Sequence, residues 1–244
     1  VLYPVGLAIR KINQKYRLMS IADNISAIKK EIGNTGVKLI AVSKTKPLES
    51  ITEAYEAGQR IFGENMVQEL VEKQEKLPSD IEWHLIGHLQ TNKVKYIAPF
   101  ISMIHSVDSL KLLTEINKQA LKHNRIIDCL LQLEIADEDT KYGMDLAEAV
   151  EMLRSEEFKQ LKNIRICGVM GIATLTDNPK MTKEEFYELS TFFKGLKDTF
   201  FRKDPAFTEI SMGMSGDYKL AIEQGSTMIR LGSTIFGNRS KKTV

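Results

Sequence analysis

Val37-Lys38-Leu39-Ile40-Ala41-Val42-Ser43-Lys44 is the stretch from which the architecture can be read. It is apolar and rich in β-branched residues. The turn signal Gly33-Asn34-Thr35-Gly36 precedes it, so it reads as a buried β-strand. Comparable runs recur at 60–63, 81–87, 101–107, 126–135, 164–173, 208–213 and 227–232. Segments with helical patterning separate them. These are 49–57; 64–74, with Met66, Val67, Leu70 and Val71 on one face; 108–122, with Asp108 at the cap position and Leu112, Leu113 and Ile116 behind it; 145–158; 183–201; and the short 217–224. Strand and helix thus alternate eight times, which implies parallel strands joined by helical crossovers. No Gly-x-Gly-x-x-Gly turn follows the first strand. The expected fold is therefore α/β, a single (β/α)8 TIM-type barrel with an extra N-terminal helix at 20–31 on its bottom or side.

Residues 19–240 are read as one barrel domain, and 1–18 as a leader or extension outside it. That extension carries Arg10, Lys11, Lys15 and Arg17 but has no apolar core followed by a small-residue cleavage site, so it does not read as a signal peptide. With 244 residues, 43% hydrophobic and 27% charged, the chain has enough apolar mass for a real core. A net charge of +2 gives no nucleic-acid or anionic-membrane footprint. No apolar stretch reaches the roughly 18 residues of a membrane span. Cys129 and Cys167 fall inside predicted strands without metal-ligand spacing. They read as buried reduced thiols, which suits a cytoplasmic protein.

Barrels of this kind place their chemistry at the C-terminal ends of the strands. Strand one ends there in Ser43-Lys44. An amine beside low-dielectric surroundings loses its proton more readily and becomes a Schiff-base candidate; the plain alternative is a surface lysine just past a strand end. Strands seven and eight end in Ser211-Met212-Gly213-Met214-Ser215-Gly216 and Arg230-Leu231-Gly232-Ser233. Each has small residues, a hydroxyl and a helix to follow. These are the strands after which barrels commonly hold phosphate, so Ser211, Ser215, Gly232 and Ser233 read as a phosphate cradle; the alternative is two ordinary turns with serine caps.

A lysine and a phosphate cradle across one barrel mouth point to pyridoxal 5′-phosphate. Arg230 shares a strand face with Gly232 and is placed to meet the pyridine nitrogen, where a permanent charge opposes ring protonation and weakens the ring as an electron sink. A salt bridge inside the barrel is the other reading of Arg230.

Five motifs in this order and spacing resemble a known family. They are Ala41-Val42-Ser43-Lys44-Thr45-Lys46, Phe62-Gly63-Glu64-Asn65-Met66-Val67-Gln68-Glu69, the run 82–93 that begins Glu82-Trp83-His84, Ser211-Met212-Gly213-Met214-Ser215, and Arg230-Leu231-Gly232-Ser233-Thr234-Ile235-Phe236-Gly237. Over 20–239 the chain resembles the pyridoxal phosphate homeostasis proteins of the YggS/PROSC type, themselves similar to the N-terminal barrel of alanine racemase. The resemblance implies Lys44 as the internal aldimine and Asn65 near the cofactor ring. It implies Arg230 near the pyridine nitrogen, and Ser211, Ser215, Gly232 and Ser233 around the phosphate. It also implies a protein that buffers intracellular pyridoxal phosphate and hands it to apoenzymes, with no robust turnover of its own. Lys141 matches a second family lysine, read as a transient acceptor or as a solvated loop residue.

The remaining polar residues read more plainly. His84 is a proton shuttle or a hydrogen-bonded core histidine. His88, His105 and His123 lack partners at zinc spacing, so no metal is expected. Glu64 pairs with Lys44 or Lys46, or opens the second helix at its positive end. Trp83, Met170, Met212 and Met214 read as packing, and Gln90 to Lys95 as a solvated helix start with a second anion contact as the alternative.

Three function classes remain. A cofactor carrier needs the lysine, the cradle and an open mouth. An amino-acid racemase of low activity needs an acid or base on each face of the substrate carbon, and the chain leaves no residues for the second domain that supplies one in the similar racemases. A barrel for another phosphate ligand would use Lys44 only as a charge. The carrier is the expectation, as a monomer.

Overall fold

The computed structural model describes residues 20–136 and 143–237. All eight expected strands form, most of them shorter than the runs that announce them: β1 Lys38–Val42, β2 Ile61–Glu64, β3 Glu82–Leu85, β4 Met103–Val107, β5 Ile127–Gln132, β6 Ile164–Met170, β7 Glu209–Ser211 and β8 Met228–Leu231. Each pairs in parallel with the next. β8 returns to β1 with Lys38 opposite Met228 and Ala41 opposite Leu231, closing the barrel.

Period-2 alternation divides the strand side chains between two compartments. Ile40, Met103, Leu130, Cys167, Met170 and Met228 form a small cluster that fills the barrel interior. Their neighbours Leu39, Ala41, Phe62, Trp83, Ile104 and Val169 belong to the larger core between sheet and helices. Fully burying one such aliphatic or aromatic side chain contributes about 1.5–3 kcal/mol, so this outer layer carries most of the stability.

The N-terminal helix, Ile21–Ile32, starts at a capping box in which Ser20 and Asp23 satisfy each other's backbone N–H groups. Ile25, Ile28 and Ile32 form its buried stripe. It packs on the side of the barrel. Asn24 Nδ2 donates to the Ile235 carbonyl at 2.9 Å, and Ile21 N–H donates to Glu53 at 3.0 Å.

Several boundaries differ from the sequence reading, each for a local reason. Glu64 ends β2, and the helix expected at 64–74 runs Val67–Gln74. Ser109, not Asp108, caps the helix Leu110–Lys122, its hydroxyl accepting from Leu112 N–H. The helix expected over 145–158 is two helices, Leu146–Arg154 and Glu156–Lys159, divided at Ser155. That residue is extended (ψ 149°), and its hydroxyl caps the second helix. The helix expected at 183–201 starts earlier, at Pro179, behind the cap Asn178. The extension 1–18 and Lys141 lie outside the described residues. Among the described residues no helix is long and apolar enough to cross a membrane, and no cluster of His, Cys, Asp and Glu could hold a metal ion.

Candidate cofactor site

A cavity of about 560 Å³ opens at the C-terminal mouth of the barrel. Lys44, Asn65, Ser215, Arg230, Gly232 and Ser233 line it, together with Lys46, Gly216, Gly237 and the apolar Val42, Ile86, Ile172 and Met214. Ser211, expected beside them, does not; its hydroxyl is fully buried beneath the mouth. The lining carries three cations, Lys44, Lys46 and Arg230, and among the described residues no carboxylate. Such a low-dielectric recess concentrates anions.

Lys44 enters the cavity from a turn that is itself unusual. Lys46 N–H donates to the Ser43 carbonyl at 3.0 Å, and Thr45, third in the turn, has φ 65°. That position ordinarily takes Gly or Asn. A β-branched residue there costs on the order of 1–3 kcal/mol. Thr45 N–H donates to Glu69 Oε1 at 2.6 Å, and a hydrogen bond to a charged group returns about 1.5–3 kcal/mol, enough to hold the conformation. The Lys46 amine donates to the carbonyls of Phe236 and Gly237, at 3.0 and 3.1 Å, fixing the last helix, Ser233–Phe236, against β1.

Glu64 pairs with neither Lys44 nor Lys46. It faces the helix layer, where Oε1 accepts from the Ser43 hydroxyl and from Lys73 Nζ, both at 2.6 Å. Burial raises its pKa, and the Lys73 ammonium pulls it back. Lys73 is the partner that sequence reading missed.

The turn after β7 depends on Gly213 at φ 94°, where an added Cβ would sit 2.6 Å from the Ala221 Cβ. Only glycine both adopts that conformation freely and leaves the room. Its carbonyl accepts from Arg230 N–H at 2.9 Å, joining the turn to β8. Ser215 Oγ accepts from the N–H groups of Gly232 and Thr234, at 3.2 and 3.3 Å. With both lone pairs engaged, its proton is left to donate into the cavity.

Beneath the mouth a buried polar chain runs inward from Arg230. The guanidinium donates through Nη1 to Ser211 Oγ at 2.7 Å and through Nη2 to the Gly171 carbonyl at 3.0 Å. Ser211 Oγ lies 2.9 Å from His105 Nδ1, and His105 Nε2 lies 2.9 Å from His84 Nδ1. A guanidinium can only donate, so Ser211 Oγ accepts from Arg230, and its proton or its second lone pair meets His105 Nδ1 according to the tautomer of that ring. Both imidazoles are neutral. Burial, with Lys38 beside it, lowers the His84 pKa to about 3; burial and the neighbouring His84 and Arg230 lower that of His105. Burial lowers Arg230 to about 10, which leaves it charged at neutral pH. His84 is thus a core histidine in a hydrogen-bonded pair, and His105, set aside in the sequence, links that pair to the site. Asn65 is seated by Gly87. A Cβ at 87 would collide with the Asn65 backbone, coming within 2.8 Å of its Cα.

The pattern of the family described as "Alanine racemase, N-terminal domain" matches residues 17–240. A pyridoxal phosphate homeostasis protein of Aquifex aeolicus (strain VF5) is 40% identical over 209 residues, spanning 85% of this chain and 89% of its own. Among solved structures, PipY of Synechococcus elongatus PCC7942 matches with a TM-score of 0.83 without PLP and 0.80 with PLP bound. Identities are 38% and 37%, and the match covers 89% of this chain and 100% of PipY. An alanine racemase of Clostridium difficile 630, at 15% identity and TM-score 0.71 over 93% of this chain and 59% of its own, shares the fold. Fold and site together define a barrel of the alanine racemase N-terminal type. The chain belongs to that family and, within it, to the pyridoxal phosphate homeostasis proteins.

Proposed function

We propose that this protein holds pyridoxal 5′-phosphate in the mouth cavity, with Lys44 as the covalent attachment point, and serves intracellular cofactor homeostasis by handing the cofactor to apoenzymes. The observation that carries this reading is one cavity with an amine on the β1 side and Ser215, Gly232 and Ser233 on the β7–β8 side.

The residues present fit the group. The volume is in the range of small-molecule sites, roughly 300–1,000 Å³. Val42, Ile86, Ile172 and Met214 offer apolar flanks to an aromatic ring, and the hydroxyls and small residues suit a phosphate. When bound, the cofactor supplies an aldehyde; the Lys44 amine joins it with release of one water. Lys44 must present a neutral amine, and Ser215 donates its proton to the anion. Lys46 adds positive charge, and Asn65 and Arg230 orient the ring. Ser211 acts on Arg230 rather than on the phosphate. That PipY, 37% identical to this chain, has a structure with PLP bound supports the choice of cofactor.

A racemase is the weaker reading. Two-base racemisation needs an acid or base on each face of the substrate carbon. The described lining holds no His, Tyr, Cys, Asp or Glu to oppose Lys44.

The test is to mix purified protein with pyridoxal 5′-phosphate, follow the imine absorbance, fix it with borohydride and locate the label by peptide mass spectrometry. Label on Lys44, lost in Lys44→Ala, supports the assignment; label elsewhere overturns it. Loaded protein should restore activity to an apoenzyme while amino-acid racemisation stays at background. Fast racemisation would defeat the carrier reading.

A further inference from the structure

Lys73 lies outside the cavity, and nothing in the cofactor chemistry calls for it, yet its amine is fully engaged. It comes from the helix Val67–Gln74 and is 5% exposed. Its three N–H groups meet three acceptors: Glu64 Oε1 at 2.6 Å, Glu69 Oε1 at 2.7 Å and the Ser43 backbone carbonyl at 2.8 Å. Two of these lead back to the Lys44 turn. Ser43, immediately before Lys44, is bound through its carbonyl by Lys73 and through its hydroxyl by Glu64. Thr45, immediately after Lys44, is bound through its N–H by the same Glu69 oxygen that Lys73 grips.

We propose that Lys73 is a positioning residue for Lys44: its ammonium ties down the backbone on both sides of Lys44 and holds Thr45 in the left-handed conformation that aims the amine at the cradle. The inference rests on the reading of Lys44 as the attachment point. A buried ion pair kept only for stability needs neither a backbone carbonyl beside the reactive residue nor a second carboxylate shared with a strained N–H; such pairs are often replaceable by apolar residues without loss. Here the ion pair's free valences are spent on the two residues that flank Lys44. The unpartnered Glu64 Oε2, buried behind the turn, fits the same view. That carboxylate is kept for what its other oxygen does to Ser43 and Lys73, despite the cost of an unsatisfied atom. Without the clamp Thr45 relaxes toward negative φ, and the root of Lys44 shifts against Ser215 and Ser233.

The decisive experiment compares wild type, Lys73→Met, Glu69→Ala, Thr45→Gly and the double variant Lys73→Met with Thr45→Gly. Borohydride-fixed adduct on Lys44 is timed after mixing with pyridoxal 5′-phosphate. Lys73→Met and Glu69→Ala should each slow the reaction about 10- to 100-fold, because a displacement near 1 Å costs on that order. Binding of pyridoxine 5′-phosphate, which has no aldehyde, should change less than threefold. Glycine takes positive φ without support, so Thr45→Gly should restore the rate in the Lys73→Met background. A purely structural salt bridge would give no such rescue. Amide exchange at Thr45 provides a readout free of cofactor, and it should be at least tenfold faster in Glu69→Ala and Lys73→Met. Wild-type labelling rates in both variants, absent rescue, or unchanged exchange at Thr45 overturns the inference. Should Lys73→Met not fold, Glu69→Ala, which keeps the buried Glu64–Lys73 pair, carries the comparison alone. If wild type itself gives no adduct on Lys44, the cofactor assignment fails, and the exchange data still decide whether the clamp exists.

Discussion

Arg230 Nη1 and Ser211 Oγ stand 2.7 Å apart, and this bond anchors the buried polar chain of Ser211, His105 and His84 below the cavity. It also separates the two serines that the sequence grouped together. Ser211 serves Arg230, whereas Ser215 faces the cavity.

The two serines should therefore respond differently to alanine. Ser211→Ala leaves a buried guanidinium N–H and His105 Nδ1 without their partner. It should lower unfolding free energy by about 1–3 kcal/mol in urea titrations of the ligand-free protein. Ser215→Ala should weaken binding of pyridoxal 5′-phosphate while leaving that of unphosphorylated pyridoxal unchanged. If Ser211→Ala shows the phosphate-selective loss instead, the two roles have been assigned the wrong way round.

The neutral histidine pair makes stability depend on pH. Both imidazoles have pKa values lowered by folding, His84 to about 3. The native state therefore binds fewer protons than the unfolded chain below the ordinary histidine value near 6.5. Their contribution is complete above that pH and is lost as pH falls from about 6.5 toward 3. Each group adds a slope of about 1.4 kcal/mol per pH unit. Urea titrations between pH 7.5 and 5 should show stability falling on acidification, with the slope roughly halved in His84→Gln. A slope that His84→Gln leaves untouched would mean that other groups drive the acid loss.

The thiols should be silent in the native protein. Burial raises both pKa values, that of Cys167 to about 12, and both side chains are buried. Alkylation at pH 8 is expected to be slow under native conditions and to reach two equivalents in denaturant, the full cysteine content. Rapid native labelling of either residue would show a barrel wall that opens far more often than this packing allows.

Gly213→Ala and Gly216→Ala make a controlled pair. The first forces a side chain into φ 94° against Ala221; the second meets nothing within 4 Å. Gly213→Ala should lose about 1–3 kcal/mol or more, and Gly216→Ala should stay within about 0.5 kcal/mol in thermal melts. Equal stability of the two would remove the case for glycine at 213.

Much of this molecule is legible in its sequence. The end of strand one marked Lys44, and period 2 put Arg230 and Gly232 on one strand face, because both are local properties. Asn178-Pro179 is an equally local signal of a helix start, and Ser155-Glu156-Glu157 is another. Other features were out of reach for a different reason. That Glu64 meets Lys73, and that His105 bridges His84 to Ser211, depends on which faces of separate elements come together. His105 and Ser211 are far apart in sequence and become neighbours only through the closed barrel. That Ser211, grouped with the cradle in the sequence, meets Arg230 and His105 depends likewise on where β7 ends.

Closure of β1 against β8 has a consequence for how the protein is made. Lys44 is translated before Ser215, Gly232 and Ser233, which follow some 170 residues and more behind it. A nascent chain emerging from the ribosome presents the amine long before the β7–β8 side of the cavity exists. On the proposed assignment, vitamer capture waits until the eighth strand has docked. A translation product truncated before β7 would carry Lys44 without Ser215, Gly232 and Ser233, which line the other side of the cavity.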